Sequence, residues 1–452
     1  MNFELTREYI EELKKAIEEQ DDVTTFNYTK ELHPADIAVV YRSLTIEEAK
    51  YLYLLLDNEK AADVLIELEV DDREKFLKVL PGEVIARQFI DNMESDDAAD
   101  ILAELPEERK EEVLSHIENV EQAGTIIDLM SYPEDTAGGL MGTELITVNE
   151  NWNVLTSLKE MRKQAEAVDE VYYVYVVDDG GILKGTLSLK KLLLVHSSTK
   201  IKNIANTDVI FVKTSTADEE VANIMQKYDL VTLPVVDTIG RLKGRITIDD
   251  VVDVMREEAD KDFQMVSGIT EDIEPHDNVW LLTRARLPWL LIGLVGGVLA
   301  AKVISNYEDS LRIYPEMAFF IPLITAMGGN VGVQSSSIVV QALANNTFSM
   351  ESSFKKVLKE FSVAIINGIS LSALILGYNL LVSDSFALTL TVSSALFSVV
   401  LFASIFGTFI PLLLNRLKID PALATGPFIT TINDIAGLAI YLVVGRIFYN
   451  IF

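Results

Sequence analysis

From residue 287 onward the chain alternates long apolar runs with short polar breaks. Five runs, 287–305, 315–343, 361–382, 386–414 and 422–448, each approach or exceed the roughly 20 residues that cross a bilayer as a helix. A single run of this kind fits a buried helix of a soluble protein; five in succession predict a membrane domain over 287–452. Upstream the pattern changes. Residues 1–131 set Leu, Ile, Val and Ala at helical spacing among Glu and Lys. Three similar units recur there, Ala35-Asp36-Ile37, Ala62-Asp63-Val64 and Ala99-Asp100-Ile101, as expected of a small superhelix of stacked helical hairpins.

Residues 132–256 switch to short β-rich runs and contain a clearer repeat. Val177-Asp178 leads through a glycine turn to Leu183-Lys184-Gly185-Thr186-Leu187. Fifty-nine residues later Val236-Asp237 leads through Gly240 to Leu242-Lys243-Gly244-Arg245-Ile246. Each copy reads strand, helix, strand, turn, strand, helix, an order that resembles a tandem CBS pair, so adenine-nucleotide binding and flat dimers are implied. In ribose-binding CBS modules a Thr or Ser precedes an Asp by three residues. Thr247 and Asp250 fit that spacing, whereas Ser188 is followed by Lys191, which places any nucleotide at the second repeat. Residues 257–286 are expected to form a helix linking the pair to the membrane.

Charge separates the two halves further. Residues 287–452 carry eight acids and eight bases, so the net charge of −31 lies entirely in the first 286 residues. Such a surface repels nucleic acid and anionic lipid and attracts cations. Bases cluster in alternate breaks: Arg284 and Arg286 before the first run, Lys355, Lys356 and Lys359 after the second, Arg416 and Lys418 after the fourth. The positive-inside rule then puts the N-terminal half in the cytoplasm, and with five spans the C-terminus outside. The N-terminal 20 residues are charged and amphipathic, without the apolar core of a signal peptide. There are no cysteines, which excludes disulfides and thiolate metal sites. No Walker motif, Ser–His–Asp set or His metal pair appears, so no enzyme activity is expected.

Asp434 is the sole carboxylate inside the last run, between Ile432 and Ile435. An acid at the centre of a lone span costs about 2.5–3.5 kcal/mol on insertion scales, so it is expected to face a wet path or a base; Lys302 and Arg446 are the candidates. Asn330, Gln334, Thr430 and Thr431 add amides and hydroxyls at similar depth, and Asp420 stands at the head of the fifth run. Carboxylate, amide and hydroxyl oxygens suit a hard divalent cation. A dimer would set two Asp434 carboxylates across one axis around a largely hydrated ion.

Three segments carry a family resemblance. They are Gly328-Gly329-Asn330-Val331-Gly332-Val333-Gln334-Ser335, the run Pro427 to Gly437 holding Thr430-Thr431-Ile432-Asn433-Asp434, and Tyr132-Pro133-Glu134-Asp135-Thr136-Ala137-Gly138-Gly139. With the domain order, they make the chain resemble the MgtE family of magnesium channels from end to end. One departure is Val333, where the family usually has Asn. The resemblance implies Mg²⁺ as the ion, a homodimer in a bacterial inner membrane, and closure by cytoplasmic Mg²⁺ bound between acidic domains. Matching positions give Asp97, Glu219, Asp229, Asp250, Asp253, Glu258 and Asp262 as regulatory ligands, with ATP as a regulatory ligand at Thr247 and Asp250. Two other readings stay open: a secondary transporter coupled to another ion, and a non-conducting Mg²⁺ sensor.

Overall fold

A computed structural model describes residues 6–451 apart from 166–167, 169–170, 271–272, 274–276, 345–349 and 425. The chain divides into two compact units, Met1–Met255 and Arg256–Phe452.

The first unit begins with ten short α-helical segments, α1 (Arg7–Glu18) to α10 (Val120–Leu129). The three Ala-Asp-apolar units fall in α3 (Pro34–Tyr41), α5 (Asn58–Ile66) and α8 (Ser95–Ala103). Their apolar members Ile37, Val64 and Ile101 are all buried, so each repeat supplies an equivalent core position. Tyr53, Phe76 and Phe89 form the aromatic centre, Tyr53 and Phe76 with ring centroids 4.4 Å apart.

The β-rich repeat then builds two matching layers. The first holds β1 (Ile146–Asn149), α11 (Val154–Gln164), β2 (Val174–Val177), β3 (Leu183–Leu187) and α12 (Leu189–Leu194). The second holds β4 (Val212–Lys213), α13 (Asp218–Tyr228), β5 (Thr232–Val236), β6 (Leu242–Thr247) and α14 (Ile248–Val266). In both sheets the first two strands are parallel and the last two antiparallel. The hairpin turns take positive φ at Gly181 and Gly240, which a residue with a side chain rarely adopts. They also cross-link the copies: Leu183 N–H donates to Gly240 O and Leu242 N–H to Gly181 O, both at 3.0 Å. The first repeat has its own core, but the core of the second is continuous with that of the helical domain. The helical domain is therefore packed on the second repeat.

Three boundaries differ from those read in the sequence. Residues 257–286 are not one linking helix: α14 continues from the second repeat to Val266 and stops before Gly268, whose φ is +82°. The first membrane helix, α15 (Val279–Ser305), starts earlier than residue 287, with Asn278 capping it. Arg284 and Arg286 thus lie inside its first turns, where long basic side chains reach out of the apolar layer. The fifth span likewise starts later than residue 422. Pro421–Ala424 is a 3-10 turn, and the helix proper, α20 (Pro427–Ile451), opens on a proline, which is tolerated where no N–H bond is needed.

Between them lie α16 (Glu308–Ile313), α17 (Ile321–Ala344), α18 (Met350–Val382) and α19 (Phe386–Arg416). Among the described residues five helical stretches are long and apolar enough to span a membrane: Val279–Ser305, Pro315–Leu343, Val357–Val382, Phe386–Arg416 and Pro427–Ile451. α19 is central, burying Val392, Ala395, Val399 and Val400 against Tyr441 and Leu442 of α20. α17 meets it backbone to backbone: a β-carbon on Gly407 would lie 2.5 Å from the Gly332 carbonyl oxygen. The side chains of Lys355 and Lys356 lie outside the described residues.

Candidate functional site

Two groups of polar residues stand out, one in each unit. In the membrane unit, α17 and α20 border a cavity of about 530 Å³ lined by Pro322, Gly329, Asn330, Gln334, Thr430 and Asp434, among others. The geometry follows from helical spacing. Pro322, Ala326, Asn330 and Gln334 recur every four residues on one face of α17, and Thr430 and Asp434 do so on α20. Glycine sets the gap between the two faces. A β-carbon on Gly329 would lie 3.2 Å from Thr430 Cγ2 and 3.8 Å from Asp434 Oδ1. Val333 also lines the cavity, so the wall is apolar at the position where an amide would match the family pattern. Among the described residues neither Lys302 nor Arg446 is ion-paired to Asp434; Arg312 pairs with Glu308 at 2.7 Å.

Four of the six pore candidates thus come together: Asn330, Gln334, Thr430 and Asp434. Two do not. Thr431 turns toward α15, where its methyl fills the space a β-carbon on Gly296 would occupy. Asp420 accepts a hydrogen bond from Ala422 N–H at 2.8 Å and shapes the turn before α20.

In the first unit, acids collect where α8 and the 141–144 segment meet the second repeat. Glu94, Asp96 and Glu144 bring carboxylate oxygens within 4.8 Å of one another. The backbone fixes this seam: Gly142 and Arg245 exchange N–H···O bonds, both 2.9 Å. Ser95 donates to Glu144 from its N–H at 3.2 Å and its hydroxyl at 3.0 Å. A β-carbon on Gly142 would lie 2.8 Å from Asp96 Oδ2. A base enters as well: Arg245, almost wholly buried, lies 3.4 Å from Glu94 and over the ring of Tyr172.

Burial sets the electrostatics. It pushes the Asp97 carboxyl up to about 7, with the Asp250 carboxylate as the next cause. Asp96 is driven well above the ordinary range by burial and by Asp97. Asp250 is also raised by burial, although Thr247 opposes this with two hydrogen bonds to Asp250 Oδ2, from its hydroxyl at 2.6 Å and its N–H at 3.0 Å. The seam therefore holds more carboxylate than it can keep charged without a counter-ion, and oxygen ligands of this kind suit Mg²⁺ or Ca²⁺.

A pH dependence follows. Acids whose pKa is raised in the compact arrangement bind protons more tightly there than when dispersed near 3.8. Protonation thus favours the seam, fully at low pH, and this support is lost as pH rises through about 7. In EDTA, residues 125–145 should be cleaved more slowly at pH 6 than at pH 8, with protease activity normalised on a peptide substrate. Equal cleavage would argue against a seam limited by its own charge.

The seven regulatory candidates do not form one cluster. Asp97 and Asp250 lie in the seam. Glu219 and Asp229 stand in the first turn and at the C-cap of α13, about 15 Å apart at 1.5 Å per residue. Asp253, Glu258 and Asp262 continue along α14, Glu258 bridged to Lys261 at 2.9 Å. Glu94 and Glu144 were not singled out by the sequence; they are brought in by chain segments that meet only in three dimensions.

Comparison with known proteins covers nearly the whole chain. Family models match residues 321–444 (MgtE, divalent cation transporter), 32–135 (MgtE intracellular N domain), and 137–197 and 201–257 (CBS domain). The magnesium transporter MgtE of Thermus thermophilus is 34% identical, covering 96% of this chain and 97% of its own length. That of Bacillus subtilis is 33% identical, over 93% of each. A solved structure, the cytosolic domain of the Mg²⁺ channel MgtE in complex with ATP, is 35% identical with a TM-score of 0.51, covering 54% of this chain and 99% of that one.

Proposed function

The chain belongs to the MgtE family of magnesium transporters, and from that premise we propose that it passes Mg²⁺ as a channel closed by Mg²⁺ on the cytoplasmic side. The observation that carries this reading is the α17–α20 cavity with Asp434 on its wall. A carboxylate, two amides and a hydroxyl can hold the water shell of Mg²⁺, which sheds water reluctantly. Asn330 and Gln334 are exposed on the outside of the single-chain bundle. Lipid cannot hydrogen-bond them, so a second copy covers this face and completes the path.

The seam supplies the regulation. A divalent ion among Asp96, Asp97, Asp250 and their neighbours offsets the repulsion that raises their pKa values. It shifts the protein toward the compact form only through its higher affinity for that form. α14, continuous from Ile248 to Val266, is the covalent route from the second repeat toward the membrane helices. In this reading the N-terminal half is cytoplasmic and the C-terminus outside, which the excess of bases in alternate loops supports. Open probability recorded in a planar bilayer at several cytoplasmic Mg²⁺ levels tests this: unitary currents that fade as Mg²⁺ rises are expected. Uptake without unitary currents and coupled to a proton or sodium gradient would replace the channel by a secondary transporter.

ATP is a second regulatory ligand in this reading, held at the second repeat. Thr247 and Asp250 are already hydrogen-bonded to each other, whereas Ser188 caps α12 through Lys191 N–H and has no acid at the matching place. Calorimetry on the full-length protein should show ATP affinity falling at least about tenfold, the loss of one charge-assisted hydrogen bond, in Asp250→Asn with Thr247→Ala. Unchanged affinity would move the nucleotide elsewhere.

A further inference from the structure

Neighbouring side chains of α20 sit in opposite circumstances. Asp434 lines the cavity, while Asn433 is 1% exposed and lies against Gly332 of α17. A β-carbon on Gly332 would come within 1.9 Å of Asn433 Nδ2. Neither amide atom of Asn433 has a hydrogen-bond partner, and among the described residues no other side chain buries two such atoms. Ser336, one turn further along α17, is also fully buried with its hydroxyl unpartnered.

A buried amide without partners raises the free energy of the arrangement that buries it. Groups of this kind are few in folded proteins and mark places where the cost serves a purpose. Leucine nearly matches asparagine in shape and would pack against Gly332 without that cost. The next residue, Asp434, already lines the cavity. A slight separation of α17 from α20 would hydrate Asn433. It would also give room at Asp434, because the same glycine face of α17 backs both residues.

We propose that Asn433 is a positioning residue for ion passage: its amide disfavours the close α17–α20 packing seen here and favours a looser one, in which water reaches Asn433 and a hydrated ion fits beside Asp434. This rests on reading the Asp434 cavity as the ion path.

The test is Asn433→Leu in the full-length protein, with Mg²⁺ influx into proteoliposomes and thermal unfolding measured on the same preparation. The leucine variant should unfold at a higher temperature, yet its maximal influx should fall about tenfold, the factor set by one unmet buried polar group. Its half-saturating external Mg²⁺ should not change, because Asp434 is intact. A residue of merely structural importance would lower stability and influx together. Wild-type influx, or loss of influx with reduced stability, overturns the proposal. Should the leucine variant fail to insert, Asn433→Ala decides by the same readouts, with lowered maximal influx at unchanged half-saturation expected and unchanged influx overturning the proposal. If Asp434→Ala conducts normally, the ion path is misplaced; if that variant is blocked while Asn433→Leu is normal, this inference alone fails.

Discussion

Asp434→Ala should lower Mg²⁺ influx into proteoliposomes at least tenfold while the protein inserts as well as before. A unit negative charge about 4 Å from a cation contributes ~4 kcal/mol at the effective dielectric of a wet protein site. A water layer between them reduces this, but half the figure still exceeds tenfold, and a dimer loses two such charges. Insertion should not suffer, since an acid in a lone span opposes it by about 2.5–3.5 kcal/mol. No packing is lost either: the carboxylate faces the cavity, and the helix contacts of α20 are made by Ile429, Leu438 and Tyr441. Influx equal to wild type would remove Asp434 from the path and leave Asn330 and Gln334 without a charge to work with.

Neutralising the seam should have the second large effect, and its sign is informative. In Asp96→Asn, Asp97→Asn, Asp250→Asn two consequences compete: ligands for a divalent ion are lost, and so is the repulsion that opposes compaction. Three exposed acids would make ligand loss the larger. These are not exposed. Burial raises each of them, Asp97 and Asp250 raise Asp96 further, and Asp250 raises Asp97. Uncompensated charge away from water is more costly than the removal of three ligands from a form that no longer needs an ion. The variant should therefore resist proteolysis in EDTA as wild type does in Mg²⁺, and its open probability should be low and flat against cytoplasmic Mg²⁺. A variant that is protease-sensitive at every Mg²⁺ level would show that ligation, not relief of repulsion, holds the seam.

The parts of this molecule legible in its sequence are those set by period and length. Five spans follow from run length, and the two CBS layers from a 59-residue repeat whose strands and turns recur in register. Asp434 was legible because a lone acid in an apolar run has few explanations. Faces were harder. Thr430 and Thr431 are adjacent and chemically identical, yet one lines the cavity and the other packs on Gly296. Only the orientation of α20 against its neighbours decides between them. The acids of α14 showed the same limit: Asp250, Asp253 and Glu258 were all expected as regulatory ligands, but Asp250 is half-buried beside the α8 acids while Asp253 is exposed. Glu144 depends on the fold of the 141–144 segment, and no local spacing points to it. Helix ends were misplaced where a polar residue is compatible with continuing the helix, as at Arg284 and Arg286.

Gly268 and Gly426 also have a mechanical consequence. A β-carbon on Gly426 would sit 2.2 Å from the Val266 carbonyl oxygen, and one on Gly268 2.6 Å from Pro427 Cγ. The end of α14 and the head of α20 thus touch with no compressible side chain between them. A soft joint would absorb a small displacement in rotamer changes; this one is stiff and passes it on. In the gating proposed above, a shift of the end of α14 would reach the first turn of α20, one turn before Thr430 and two before Asp434.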